Sequence, residues 1–336
     1  MFGKADDSMK ALVTGGAGFI GSHLVDELLN RGCQVSVIDN FSTGRRNNLG
    51  KSIDKVKIVE GDVGEAGEWM KEFREVSWVF HLAALADIVP SIKDPDAYFR
   101  SNVSGTFNVV QASTNFQVDR FIYAASSSSY GISEQVPTME TASICPQYPY
   151  ALTKYMGEEI VMHWAKVYGL KSLSLRFFNV YGPRARTSGT YGAVFGVFLA
   201  QKLANKPFTV VGDGEQTRDF TYVSDVVRAL ICAAESDRSQ RVYNVGSGAT
   251  VSVNRLVELL GGEKVHIPKR PGEPDCTFAD ISRIRSELGW SSRVALEEGV
   301  SRLLRDIEYW REAPVWTPDT IAGATKEWFQ LLGSTD

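Results

Sequence analysis

At 336 residues the chain has room for two modest domains or one large one, and its 43% apolar and 23% charged content is that of an ordinary globule. A net charge of −4 provides no global basic field to draw in nucleic acid or an acidic membrane, and no apolar run approaches the ~18 residues that span a bilayer. Four scattered cysteines (Cys33, Cys145, Cys232, Cys276) argue against a disulfide framework or a zinc site and fit a cytoplasmic protein without a metal.

The first eight residues, MFGKADDS, are polar and read as a loose extension, not a signal peptide. Lys10-Ala-Leu-Val-Thr14 is short and apolar enough for a buried strand. It leads into Gly15-Gly16-Ala17-Gly18-Phe19-Ile20-Gly21, after which apolar residues recur at helical spacing until Gly32. A second strand, Gln34–Asp39, ends on an acid. Each part suits a dinucleotide. Gly15 allows a tight turn, Gly18 lets the backbone approach a pyrophosphate, and Gly21 lets the helix pack closely on the strand. The helix N-terminus offers free N–H groups to phosphate. Asp39 can accept hydrogen bonds from ribose hydroxyls, and its charge repels a 2′-phosphate, which favours NAD over NADP. The glycines alone are weak evidence. A preceding strand, a following helix and an acid 18 residues past Gly21 supply the context.

Strands and helices alternate from residue 10 to about 178, which predicts a doubly wound parallel sheet. Further strands are expected at Val56–Glu60, Val79–Leu82, Phe121–Ala125 and Ser172–Phe177, with helices at Gly18–Arg31, Asn102–Thr114 and Tyr150–Tyr168. A serine run, Ser126 to Ser129, follows a strand and so falls at the sheet edge where ligands bind. Tyr150 and Lys154 share a helix face. A free phenol has a pKa of about 10, and a nearby ammonium is expected to lower it. A serine hydroxyl can then share a proton with a substrate alcohol. On spacing alone a solvated surface Tyr/Lys pair is the better reading, and the glycine turn and second strand shift the balance toward chemistry.

Beyond residue 179 the chain becomes irregular and rich in Gly, Pro and Arg, and residues 224–237 return to an apolar helix expected to pack on the sheet. The division expected is 9–178 plus 224–245 for a Rossmann-type domain, and 179–223 plus 246–336 for a smaller α/β lid. The tail, with Trp310, Trp316 and a helix around 321–332, suggests packing or an interface and no chemistry.

Together with Gly61-Asp62-Val63, His81-Leu-Ala-Ala84, Asn102-Val-Ser-Gly105, Arg176-Phe-Phe-Asn-Val-Tyr-Gly182, Gly212-Asp-Gly-Glu-Gln-Thr-Arg-Asp-Phe220 and Arg270-Pro-Gly-Glu273, these stretches resemble the extended short-chain dehydrogenase/reductase family, and within it the nucleotide-sugar 4-epimerases. The resemblance implies a tightly held NAD and a Ser126, Tyr150, Lys154 catalytic set. It extends the cofactor contacts to Phe19, Ile20, Asn40, Phe41, Ser42, Thr43, Gly44, Asp62, Val63, Leu82, Ala83, Ala84, Ala86, Asn102 and Phe178, with Phe178 at the nicotinamide. It places Ser128 and Asn179 at the sugar, Arg218 and Arg270 at the diphosphate, and Glu273 near the nucleoside ribose. It also implies a homodimer through helices 102–114 and 150–168, to which Val161, Met162 and Trp164 would contribute an extra apolar face.

Several activities share this beginning. A 4,6-dehydratase of this family carries Thr-Asp-Glu starting where Ser126 stands, and a UDP-glucuronate decarboxylase typically has a glutamate there. Here the next positions are Ser127 and Ser128. That leaves reduction of a 4-keto sugar, from the opposite face after it turns, as the expected outcome. A glucuronate 4-epimerase stays open, with Arg184 or Arg186 as the carboxylate's cation. A regulator that kept the fold without catalysis is a remote reading. By resemblance, the seventh residue after Arg270 lines the sugar pocket. It is Thr277, small enough to admit an N-acetyl group at C2. UDP-GlcNAc and UDP-GalNAc are therefore the expected pair, with UDP-Glc and UDP-Gal not forbidden.

Overall fold

The computed structural model describes residues 9–187 and 193–333. The expected N-terminal extension lies outside them. Seven parallel strands form the central sheet: β1 Lys10–Thr14, β2 Gln34–Asp39, β3 Lys57–Glu60, β4 Trp78–His81, β5 Arg120–Ser126, β6 Ser172–Phe177 and β7 Arg241–Val245. Their order is β3-β2-β1-β4-β5-β6-β7. All pairings are parallel, which makes this the doubly wound Rossmann-type sheet that the alternating pattern predicts.

Alternation along each strand sorts residues onto two faces. Ala11, Val13, Ile122 and Ala124 face a core with α1 (Phe19–Asn30). Leu12, Phe121 and Tyr123 face a second core with α2 (Gly105–Asn115) and α3 (Pro149–Tyr168). On the first side lies α4 (Val223–Glu235), whose Val226, Ala229, Leu230 and Ala233 are buried. Residues Ile281, Ile284 and Trp290 also join this first core, although they fall within the stretch expected to belong to the lid. A third core gathers Tyr181, Phe195, Phe198, Phe208, Leu256, Leu303 and Trp310. Two strands of that region, Phe208–Val211 and Lys264–Ile267, pair in parallel.

The predicted helix start at Asn102 is displaced. Residues Arg100–Ser104 form a π-helical turn that runs directly into α2. Asn102 is not an N-cap. It is buried, and its amide clasps the Leu85 backbone both ways: Leu85 N–H donates to Oδ1 at 2.8 Å and Nδ2 donates to Leu85 O at 3.0 Å. Nδ2 also reaches Thr153 Oγ1 at 3.0 Å, which ties the loop after β4 to α3.

The interior holds one charge pair that joins α3 to the sheet. Arg176 on β6 bonds both carboxylate oxygens of Glu158, Ser174 Oγ donates to the same carboxylate at 2.7 Å, and Arg176 Nη1 donates to Tyr130 Oη at 2.8 Å. Breaking one side of such a pair strands the other charge without water. Arg176→Met is expected to destabilise the fold by roughly 3–5 kcal/mol in urea unfolding, and Arg176→Met with Glu158→Leu to recover most of that loss.

Candidate active site

The site begins where the sheet reverses direction. β1 pairs with β2 on one side and β4 on the other, so the loops after these strands diverge above their carboxyl ends. The opening is a crevice of about 390 Å³. Its floor is the glycine turn. Gly15 has φ +71°, and a Cβ there would lie 2.7 Å from Ala83 N. A Cβ on Gly21 would lie 2.2 Å from Gly15 O, so the helix start sits as close to the turn as glycine permits.

Asp39 ends β2 at the crevice wall and organises it. Its two oxygens accept from Ala17 N at 2.9 Å and Phe41 N at 2.8 Å. A Cβ on Gly44 would come within 2.9 Å of either oxygen. Burial raises the Asp39 pKa, and the Phe41 and Ala17 N–H groups oppose that rise. A carboxylate has about four acceptor sites, so two backbone bonds leave capacity for ribose hydroxyls.

Most residues expected at a dinucleotide converge here. Gly15, Gly18, Phe19, Ile20 and Gly21 line one end with Asp39, Asn40, Ser42, Thr43 and Gly44. Asp62, Val63, Leu82, Ala83, Ala84 and Ala86 line another stretch, and Tyr150 and Lys154 close the far side. Phe41 is instead turned beneath Arg46, whose guanidinium carbon sits 4.3 Å from the ring centroid. Asn102 acts through Leu85. Phe178 lies in the first core, 6.2 Å from the Tyr130 ring, and of these two adjacent phenylalanines it is Phe177 that lines the crevice.

The serine run and the helix start of α3 meet as two parallel pairs. Ser126 faces the Tyr150 phenol and Ser128 that of Tyr148, and each serine opposes the upward shift that burial gives its tyrosine. The two tyrosine rings stack at 6.5 Å with 7° between planes. Sequence reasoning missed Tyr148. Its only signal was an aromatic two residues before Tyr150, too common to stand out. Burial pushes Tyr150 up to about 12, while Ser126 opposes the rise. Burial brings Lys154 down to about 7, against the pull of Glu158. The expected ammonium effect on the phenol is therefore not what the protein alone sets up. Lys154 Nζ stands 4.3 Å from the Tyr123 ring centroid, and desolvation dominates both groups.

A second cluster lies across from the pair. Arg270 Nη1 donates to Glu273 Oε1 at 3.1 Å, and Arg218 Nη1 to its neighbour's carbonyl, Thr217 O, at 2.9 Å. Arg218 feels Glu273, Arg270 and Tyr148 electrostatically, so the four groups form one cluster. Two guanidinium groups near one carboxylate offer more N–H donors than it can take up, which suits diphosphate oxygens. Asn179 Nδ2 donates to Thr277 Oγ1 at 2.7 Å, so the two residues expected at the sugar touch each other.

Residues 11–246 match the NAD dependent epimerase/dehydratase family. A putative UDP-glucose 4-epimerase of Methanocaldococcus jannaschii is 36% identical over 87% of this chain and 96% of its own length. Among solved structures, UDP-N-acetylglucosamine 4-epimerase from Methanobrevibacter ruminantium, in complex with UDP-N-acetylmuramic acid, superposes with a TM-score of 0.83 at 33% identity, covering 89% of this chain and 99% of the other. UDP-glucuronic acid 4-epimerase from Bacillus cereus, in complex with UDP-glucuronic acid and NAD, gives 0.82 at 32% identity over 89% and 99%. The chain belongs to the NAD-dependent epimerase/dehydratase family, and these relatives are UDP-sugar 4-epimerases. The crevice fits that cofactor: its turn admits no side chain at Gly15, and an acid faces it from β2.

Lys154 gives a pH signature. Its folded pKa of about 7 lies below the unfolded value of 10.5, so between these pH values the unfolded chain binds more protons and stability rises with pH. In cofactor-free protein, the wild-type unfolding free energy minus that of Lys154→Met should climb from pH 7 to 9.5, at no more than ~1.4 kcal/mol per pH unit. A flat difference in urea titrations would remove the buried-lysine assignment.

Proposed function

We propose that the chain interconverts the C4 epimers of UDP-N-acetylhexosamines, with plain UDP-hexoses as accepted substrates. The observation that carries this reading is that Tyr150 and Lys154 line the crevice while Tyr148, stacked on Tyr150, feels Arg218 and Glu273 of the two-arginine cluster. The glycine turn and Asp39 would hold NAD, which would supply the hydride acceptor and donor for C4. Ser126 relays the proton of the sugar 4-hydroxyl to Tyr150 in its phenolate form, which later gives it back. Burial alone disfavours that form, so it depends on positive charge brought by bound cofactor and by Lys154. Lys154, buried one helical turn on and poised near neutral pH, supplies a movable positive charge to this end of α3. Arg218 and Arg270 hold the diphosphate, Glu273 faces the ribose, and Ser128 and Asn179 contact the sugar. Neither Ser127 nor Ser128 is acidic enough to carry the dehydratase protons. The 4-keto sugar is therefore only turned and reduced.

The charges also bear on the glucuronate alternative. Arg184 Nη1 lies 2.7 Å from Asp26, and Arg186 is ion-paired with Asp87. Both cations offered for a C6 carboxylate already face acids, which favours an uncharged sugar. Thr277 is the small residue at the C2 side, and its hydroxyl also steadies Asn179. Pure protein incubated with UDP-sugars and followed by NMR is expected to equilibrate UDP-GlcNAc with UDP-GalNAc, and Tyr150→Phe to lose that turnover by orders of magnitude. Thr277→Tyr should suppress the N-acetylated pair more than the plain hexoses. Thr277→Val, which removes only the hydroxyl, should slow both pairs alike. A wild type that ignores N-acetylated sugars would refute the substrate assignment.

The two-domain division given above and a cytoplasmic homodimer complete the proposal. Val161 is wholly buried in the core and so makes no dimer face, whereas Met162 and Trp164 are only half-buried beside it. The large apolar side chains left exposed on the two helices are Phe107, Leu152, Val167 and Tyr168, with Trp164 bridging Phe107 (5.5 Å) and Tyr168 (5.1 Å). Light scattering at micromolar concentration is expected to give the dimer mass, and Phe107→Asp with Val167→Asp to give the monomer.

A further inference from the structure

The C-terminal helix α5 (Pro318–Leu332) is the part of the fold for which the sequence suggested no chemistry. Thr317 and Thr320 form a capping box at its start, and Pro318 occupies the first turn. Ile321, Thr325 and Trp328 fall on one face at helical spacing and are all buried. That face packs against the short helix Ile88–Lys93, which follows the crevice loop after β4.

Trp328, 2% exposed, ends this face inside the positive cluster. Its Nε1–H donates to Pro271 O at 2.9 Å, directly between Arg270 and Gly272. The Arg270 guanidinium carbon lies 5.6 Å from the indole centroid. On its other side the indole meets the Tyr148 ring edge-on at 6.5 Å, and Tyr148 in turn stacks on Tyr150. Gly272 has φ +72°, and a Cβ there would lie 3.9 Å from the Leu332 side chain. One side chain thus touches the arginine assigned to the diphosphate, the backbone that carries it, and the tyrosine beside the proton-transfer pair.

We propose that Trp328 is a positioning residue of the substrate site. It fixes the Arg270–Glu273 loop from outside, so that α5 is part of the nucleotide-binding wall. The inference rests on the assignment of Arg270 to the diphosphate. An indole face attracts a guanidinium, and its N–H holds the adjoining carbonyl. Both contacts orient Arg270 before ligand arrives, which spares ordering on binding.

The test uses NAD-loaded full-length protein and UDP as the probe in calorimetry, with steady-state kinetics alongside. Trp328→Ala is expected to weaken UDP about tenfold and to raise KM similarly, with kcat within about twofold and bound NAD unchanged. Trp328→Phe keeps a ring face and loses the Pro271 bond, so it should recover part of the affinity. It also serves as the reporter if the alanine variant does not fold. In an Arg270→Ala background the same Trp328 substitutions should cost nothing further, because the residue acts through Arg270. Wild-type UDP affinity in both Trp328 variants, or a full additive loss in the double variant, overturns the proposal. A wild type that binds no UDP at all would instead strike down the diphosphate assignment beneath it.

Discussion

The topological reversal between β1 and β4 is the constraint on which the rest depends. Because β1 is bonded to β2 on one side and β4 on the other, the chain must leave its carboxyl end on diverging paths. The crevice is the space so left, and a helix start with free N–H groups faces it. The register then brings functional positions to one edge. Thr14 pairs with His81, and Ser126 with Phe177. Side chains bind those ends together. Thr14 Oγ1 meets His81 Nδ1 at 2.7 Å, and His81 Nε2 meets Thr106 Oγ1 at 3.0 Å. Complete burial brings this imidazole down to about 3, so it is a neutral strut and not an acid–base group.

Desolvation is the second recurring cause. It raises the Tyr150 phenol and lowers the Lys154 amine, moving the two pKa values away from their charged forms together. A site built this way holds little charge of its own. Charge brought by ligands is felt strongly there, because the interior screens it weakly. The contrast with Glu158 and Arg176 is instructive. They too are buried, yet multiple hydrogen bonds satisfy each, so that pair braces α3 while Tyr150 and Lys154 stay responsive.

Local signals made much of this legible. The strands Lys10–Thr14, Gln34–Asp39 and Ser172–Phe177 were readable to the residue, because turn residues bound apolar runs there. The glycine turn was readable because only glycine fits it. What escaped the sequence depends on distant partners. The effect of Lys154 on Tyr150 could not be judged without knowing how deeply both are buried. Whether Phe177 or Phe178 faces the crevice turns on how the chain leaves β6. Val161 looked like surplus apolar surface until the sheet covered it. Trp328 meets Arg270 across 58 residues of sequence, and no periodicity reports a contact of that kind.

The two residues proposed at the sugar, Asn179 and Thr277, are held by a hydrogen-bond chain. Asn179 has φ +25°, a left-handed conformation that asparagine tolerates better than most residues. It is held by Thr277 Oγ1 at 2.7 Å and by Asp219 O at 3.2 Å. Asp219, wholly buried, accepts from Ser247 Oγ at 2.7 Å and from Ala279 N at 3.1 Å. Asp219 therefore staples three segments, holding the end of β7 and the segment before residue 280 through its carboxylate and the loop after β6 through its backbone carbonyl. A larger residue at 277 would fill space and also release Asn179 from its partner. Size and positioning are thus coupled at this residue. A specificity change there leaves the half-buried Asn179 amide with Asp219 O as its remaining acceptor, so it loosens the side chain as well as reshaping the space beside it.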